Sequence, residues 1–177
     1  YSQLSLSSLN ASELTNVSSI LQQPAESFGN DPTLEAHWAM KAFQHAEIHF
    51  NLLTALDPKI LKLTKQDDEI YTEFRKEFPD MDLSLIKEEE LKNAQAKEKW
   101  RPFCNNFQGK VEDWNMGSLL RLDCQGEYCE DNTCIVPRIQ FLAIEIARNR
   151  EGLNSSLKEK YGKLKTQEKT QDAEEKS

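Results

Sequence analysis

VPRIQFLAIEIARNREGLN, residues 136–154, is the stretch on which the reading of this chain turns. Ile139, Leu142, Ala143 and Ile146 recur at helical spacing, and Gly152 follows as a natural terminator, so the stretch predicts a last core helix. Residues 139–146 also alternate in part, which keeps a strand as the alternative. Phe141 and Ile144 add to the apolar material. The polar residues are Arg138, Gln140, Glu145, Arg148, Asn149 and Arg150. Three arginines and one carboxylate within thirteen residues exceed what a solvated face requires.

Upstream of this stretch the period changes. From Ser118 to Cys124, Ser118, Leu120, Leu122 and Cys124 alternate with Leu119, Arg121 and Asp123, the period-two pattern of a strand. The polar loop QGEYCEDN separates it from Thr133–Val136, which predicts an antiparallel hairpin. Pro137 cannot donate to a ladder, so the second strand is an edge or ends there.

Earlier still, the pattern is helical. A helix should begin at Asn30 or Asp31, with Pro32 in its first turn. Its apolar stripe runs through Trp38, Ala39, Ala42, Phe43, Ala46, Phe50 and Leu53, and Pro58 closes it near Leu56. A second helix should follow Thr64, with Asp67 completing its cap. Ile70, Phe74 and Phe78 recur at four-residue intervals, and Pro79 ends it. A third helical region spans Lys87–Phe107, where Pro102 should kink or split it. Gly109 can close it in the left-handed conformation. Asn10–Glu13 resembles a capping box ahead of a short helix, and residues 22–30 read as a linker.

These elements predict a mostly helical α+β fold, helices packed with a small antiparallel β-hairpin and flanked by disordered tails. Residues 1–30 hold eight serines and no Lys or Arg, the composition of a flexible segment. Residues 155–177 are charged and almost without apolar side chains. Residues 31–154 remain as a single globular domain, long enough to bury roughly two-thirds of its unfolded surface.

The net charge of −8 argues against a nucleic-acid or anionic-membrane surface. Residues 65–92 carry ten acidic and five basic side chains, while 93–110 carry four basic and one acidic. A basic partner suits this balance, and so does plain solubility. No window is apolar enough to span a bilayer. Leu4, Leu6, Leu9 and Leu14 are interrupted by polar residues with no basic run ahead of them, a poor secretory signal. The sequence starts without Met, which leaves a lost leader open. N-x-S sequons stand at Asn10, Asn16 and Asn154.

Motifs for chemistry are sparse. His45 and His49 share a helix face, but the metalloprotease pattern needs a glutamate directly after the first histidine, and here Glu47 is two residues on. His37 is the one other histidine and lies on the same helix, so ordinary surface or core-edge histidines are the expectation. Cys124, Cys129 and Cys134 flank one loop, with Cys104 distant. That is a weak zinc pattern, and Cys104, Cys124 and Cys134 read as small buried apolar residues. A Cys124–Cys134 bridge fits a hairpin, but a reducing compartment disfavours it. No phosphate-binding glycine loop and no nucleophile elbow occur. Glu88–Glu90 reads as a solvated helix start. The expectation is no enzyme, no cofactor and no metal.

The best candidate site is a partner-binding group of Trp100, Arg101, Arg121, Asp123, Arg138, Glu145, Arg148, Asn149 and Arg150. Aromatic and arginine side chains anchor interfaces, and arginine's fork equally holds buried carboxylates. Both readings stand at this point. On the interface reading, charge reversal at Arg148 or Arg150 weakens partner capture and leaves the fold intact.

Six strings carry a resemblance: EAHWAMKA (35–42), HAE (45–47), LKLTKQDDEIYTEF (61–74), AKEKWRPFC (96–104), GSLLRLDC (117–124) and PRIQFLAIEIARNREG (137–152). Over about residues 31–154 the chain resembles the polysaccharide biosynthesis domain-containing protein 1 family. The resemblance implies a cytoplasmic, monomeric, dedicated chaperone of translation elongation factor 1-alpha. It would engage the client's emerging GTP-binding domain at the ribosome, without a direct nucleic-acid site or membrane contact. The family name suggests an alternative, a methyltransferase-like enzyme of polysaccharide biosynthesis, which needs a cofactor-binding glycine loop that this sequence lacks.

Overall fold

A computed structural model describes residues 32–162 of the chain. The capping box at Asn10–Glu13, the linker at 22–30 and the sequons at Asn10 and Asn16 lie outside the described residues.

Helix α1 spans Pro32–Ala55. Proline suits its first turn, where an N–H would have no helical partner. A 3-10 turn, Pro58–Ile60, follows, and the Asp57 carboxylate accepts from Lys59 N at 3.1 Å to start it. Ala42, Ala46, His49 and Leu53 are buried on one face of α1, whereas Phe43 is exposed and does not belong to the inner stripe.

Helix α2 spans Asp67–Glu77. It starts three residues after Thr64 because Asp67 turns back: its carboxylate accepts from Leu63 N at 2.9 Å and Thr64 N at 2.7 Å, fixing the entering loop. Ile70 and Phe74 are fully buried. Phe78, just past α2, stacks on Trp100 with ring centroids 4.2 Å apart.

The Lys87–Phe107 region is split, though not at its proline. Helix α3 spans Glu88–Lys92 and helix α4 spans Ala94–Asn105. The break is Asn93, whose extended backbone and side chain cap α4 by accepting from Ala96 N at 2.8 Å. A cap residue offers a competing hydrogen bond and an escape from helical geometry. Pro102 sits inside α4, with Trp100, Phe103, Cys104 and Phe107 still pointing into the core. The helix ends at Asn105 with Asn106 as its cap, so Gly109 does not close it; Gly109 takes φ +80° in the turns that follow.

Strands β1 (Gly117–Arg121) and β2 (Thr133–Pro137) form an antiparallel pair in the register Leu119↔Ile135. β2 ends at its proline. β2 alternates buried and exposed side chains, but β1 is buried from Ser118 to Arg121. Leu119 packs on Ala42 and Ala46 of α1, while Leu120 joins the main core beneath. Helices therefore cover both faces of β1.

Helix α5, Arg138–Arg150, is the predicted core helix, and the strand alternative is not realised. Every residue from Ile139 to Asn149 is buried. The helix packs against α2, α4, both strands and the 3-10 turn. Gly152 follows at φ +81°. Each fully buried Ile, Leu or Phe on α5 stabilises the fold by roughly 1.5–3 kcal/mol relative to exposure. Packing continues beyond residue 154: a helical segment occupies 157–162, and Leu157 is fully buried. The observed architecture is a mostly helical α+β fold around a two-stranded antiparallel sheet.

Candidate functional site

The polar residues of α5 meet the end of β1 inside the protein. Arg121, Glu145 and Arg148 are all 0% exposed. Helix geometry puts Glu145 and Arg148 three apart on one face, and β1 delivers Arg121 to the same point.

Glu145 is the centre of the group. Its Oε1 accepts from Arg148 Nη1 at 2.7 Å, and Arg121 Nη2 reaches both oxygens at 3.2–3.3 Å. Asn154 Nδ2 donates to Oε2 at 3.0 Å. Arg121 also donates to the carbonyls of Cys124 and Gly126 at 2.9 and 3.0 Å and to Asn154 Oδ1 at 2.9 Å. Arg148 donates from Nε to Leu83 O at 2.8 Å, from Nη1 to Arg121 O at 2.8 Å and from Nη2 to Leu122 O at 2.9 Å. One carboxylate and two guanidiniums thus tie together three stretches: the 83 loop, the end of β1 and α5.

Burial alone pushes the Glu145 carboxyl upward, but the charges of Arg121 and Arg148 outweigh it. With help from His49 and the Arg148 hydrogen bond, they hold the group well below the usual carboxylate range.

His49 of α1 caps the group. Its Nδ1 lies 2.8 Å from Tyr128 Oη, and Nε2 lies 3.7 Å from Glu145 Oε2. Its ring meets Phe141 edge-on at 5.1 Å. Burial lowers its pKa to about 4; Glu145 opposes that shift, and Arg121, His45 and Arg148 reinforce it. A neutral ring that accepts from Tyr128 at Nδ1 carries its proton on Nε2, which faces Glu145 beyond hydrogen-bond range and has no hydrogen-bond partner. For Tyr128, burial and then Glu145 raise the phenol pKa, so it stays protonated.

The nine residues do not share one surface, and of the two readings left open it is the buried pair that Arg121, Glu145 and Arg148 realise. Trp100, Arg121, Glu145, Arg148 and Asn149 are buried, so they present nothing to a partner. Arg148 cannot be the exposed contact that its charge suggested; reversing it would strand Glu145. Asp123 does not share a strand face with Arg121, because β1 ends at Arg121. Asp123 forms an isolated bridge with Leu85, and its carboxylate accepts from Gln125 N. Arg150 is exposed and pairs with Asp68 at 2.5 Å while lying over Tyr71. Arg101 is exposed on α4, and Arg138 is half-buried at the start of α5.

The sequence reading missed His49, Tyr128 and Asn154. The signal for His49 was present, since it lies in step with Ala42, Ala46 and Leu53. Asn154 reads as a sequon yet is fully buried with its amide bonded to Asn149 and Glu145, which bars it as a glycan acceptor in this fold.

All four cysteines are free, so no bridge joins Cys124 and Cys134. Burial raises the Cys104 thiol to about 11 and pushes Cys134 up as well, which makes poor nucleophiles. Among the described residues, no three His, Cys, Asp or Glu converge as a metal site, and no helix is long and apolar enough to cross a membrane.

The family described as "PBDC1 protein" matches residues 34–159. The chain belongs to the PBDC1 family. Protein PBDC1 of Homo sapiens is 58% identical over 145 residues, covering 82% of this chain and 62% of the human protein. The match therefore spans less than two thirds of that relative. The Protein PBDC1 homolog of Saccharomyces cerevisiae is 47% identical over 134 residues, 73% of this chain and 92% of the yeast protein. A solution NMR structure of a Saccharomyces cerevisiae protein superposes with a TM-score of 0.69 at 44% identity, covering 77% of this chain and 96% of that one. The arginine–glutamate lock lies wholly inside the stretch matched by the PBDC1 family.

Proposed function

We propose that this chain is a non-enzymatic, client-specific chaperone. It binds the emerging GTP-binding domain of translation elongation factor 1-alpha at the ribosome, in the cytoplasm and as a monomer. The reading starts from the family resemblance. The observation that carries it furthest is the closure of the Glu145 group. Both carboxylate oxygens are occupied by Arg121, Arg148 and Asn154, all in the interior. Among the described residues, this buried group therefore leaves neither Glu145 oxygen without a donor and no exposed face for a substrate. It serves as a brace, and a rigid braced body suits a protein that works by contact.

Purifying ribosomes through the tagged chain during translation tests this. Transcripts of elongation factor 1-alpha should be enriched over those of other GTPases, and equal recovery of all GTPases would end the proposal. Calorimetric titration with S-adenosylmethionine probes the enzymatic alternative, for which saturable tight binding would be required.

A further inference from the structure

Helix α1, the 113–118 approach to β1 and the first residue of α5 enclose a small cleft of about 50 Å³. Trp38, Lys41, His45, Asp113, Met116 and Arg138 line it. Its walls are fixed by short contacts. Trp38 Nε1 donates to Gly117 O at 3.3 Å, and any Cβ on Gly117 would come within 2.9 Å of the Trp38 ring. Arg138 N donates to Met116 O at 2.7 Å, and Met116 N to Asp113 O at 2.9 Å, with Asp113 held at φ +54°.

The charges in the cleft are not neutralised from within. Arg75, Arg121, Arg148 and Arg150 each reach a carboxylate. Among the described residues, no carboxylate pairs with Lys41 or Arg138, both half-buried at this cleft. Arg138 Nε and His45 Nδ1 are buried without a hydrogen-bond partner. Burial, then Arg138 and Lys41, lower the His45 pKa, so its ring is neutral and contributes hydrogen bonding without charge. Two cations therefore face one acid, Asp113.

We propose that this cleft receives a single carboxylate side chain of the client polypeptide, held by Lys41 and Arg138, with its methylene stem against Trp38 and Met116. The client's identity rests on the chaperone reading; the chemistry of the cleft does not. Size favours a side chain, because cofactor and nucleotide sites fill roughly 300–1,000 Å³. Charge favours a carboxylate over a phosphate: Asp113 repels a dianion more strongly, and the net charge of −8 repels a nucleic-acid backbone.

The test uses the full chain, isotope-labelled, titrated with N-acetylglutamate α-amide, its glutamine counterpart and inorganic phosphate. The glutamate compound should shift the Trp38 indole and Gly117 amide signals saturably, and the glutamine compound should not. Lys41→Gln and Arg138→Gln should each weaken the effect by on the order of tenfold, as losing a charge-assisted hydrogen bond requires. No saturable shift, an equal response to glutamine, or saturation by phosphate alone would overturn the proposal. Ribosome purification with the same variants separates the two claims. If the unaltered chain recovers elongation factor 1-alpha transcripts and both variants recover them equally, the cleft assignment is wrong and the chaperone reading stands. If the cleft binds the glutamate compound but the unaltered chain recovers no such transcripts, the carboxylate site stands and its client is a different protein.

Discussion

Glu145 owes its charge to its neighbours, and they owe theirs to it. A carboxylate with no exposed surface is costly to ionise unless donors surround it, and two guanidiniums without it would be stranded inside the protein. Glu145→Gln should therefore destabilise the chain by about 3–5 kcal/mol in urea unfolding, the cost of breaking a buried pair on one side. Arg150→Glu should cost less than about 1 kcal/mol, because the Asp68 pair it breaks lies at the surface. Similar losses for the two variants would mean that burial does not set the energetics here. The dense arginine and carboxylate content was legible in the sequence; which side it faced was not. A bidentate guanidinium serves an interface and an interior pair with the same chemistry, so residue type alone leaves burial undecided.

Elements were easier to read than their surroundings. Pro32 and Gly152 act through backbone conformation, which depends on few neighbours, and they mark the expected ends. The hairpin was likewise visible in its period-two pattern. Its outward face was misjudged, because α1 arrives from more than sixty residues upstream and roofs Leu119 and Arg121. Pro102 was given too much weight and Asn93 too little, since a capping side chain broke the helix ahead of the proline. Asn93→Ala should cost roughly 0.5–2 kcal/mol, the value of a helix cap, measured as a lowered urea midpoint. The α1–β1 contact has its own tight point at Gly117. Gly117→Ala puts a methyl group 2.9 Å from the Trp38 ring, so the indole, or α1 with it, must move away from β1. The expected loss is about 1–3 kcal/mol, as for overpacking, with the Trp38 fluorescence moving toward that of a solvated indole. An unchanged stability would show that α1 is not seated on β1 as described.

At the scale of the whole molecule, acid should loosen the roof before it reaches the core. His49 joins α1 to the Glu145 group, and its pKa falls from an ordinary 6.5 to about 4, chiefly through burial. Between those values the unfolded chain binds a proton at this site that the folded chain refuses. The unfolded state then holds more protons, and stability falls as pH falls. The term is fully favourable above pH 6.5 and is lost progressively toward pH 4, about 3 kcal/mol in all at 1.36 kcal/mol per unit. Glu145 acts in the same direction but lower, because its folded pKa lies below the ordinary carboxylate range; its contribution is lost once the unfolded carboxyl protonates. The two windows separate the residues. Urea unfolding of the unaltered chain should weaken steadily from pH 6.5 downward. His49→Gln keeps a donor and an acceptor without titrating, so it should make the profile shallower between pH 6.5 and 5, where the lowered His45 still contributes, and leave the steeper loss below 4.5 in place. Parallel profiles for the two proteins would mean that His49 titrates freely in the folded state, and α1 would then not seal the lock from solvent.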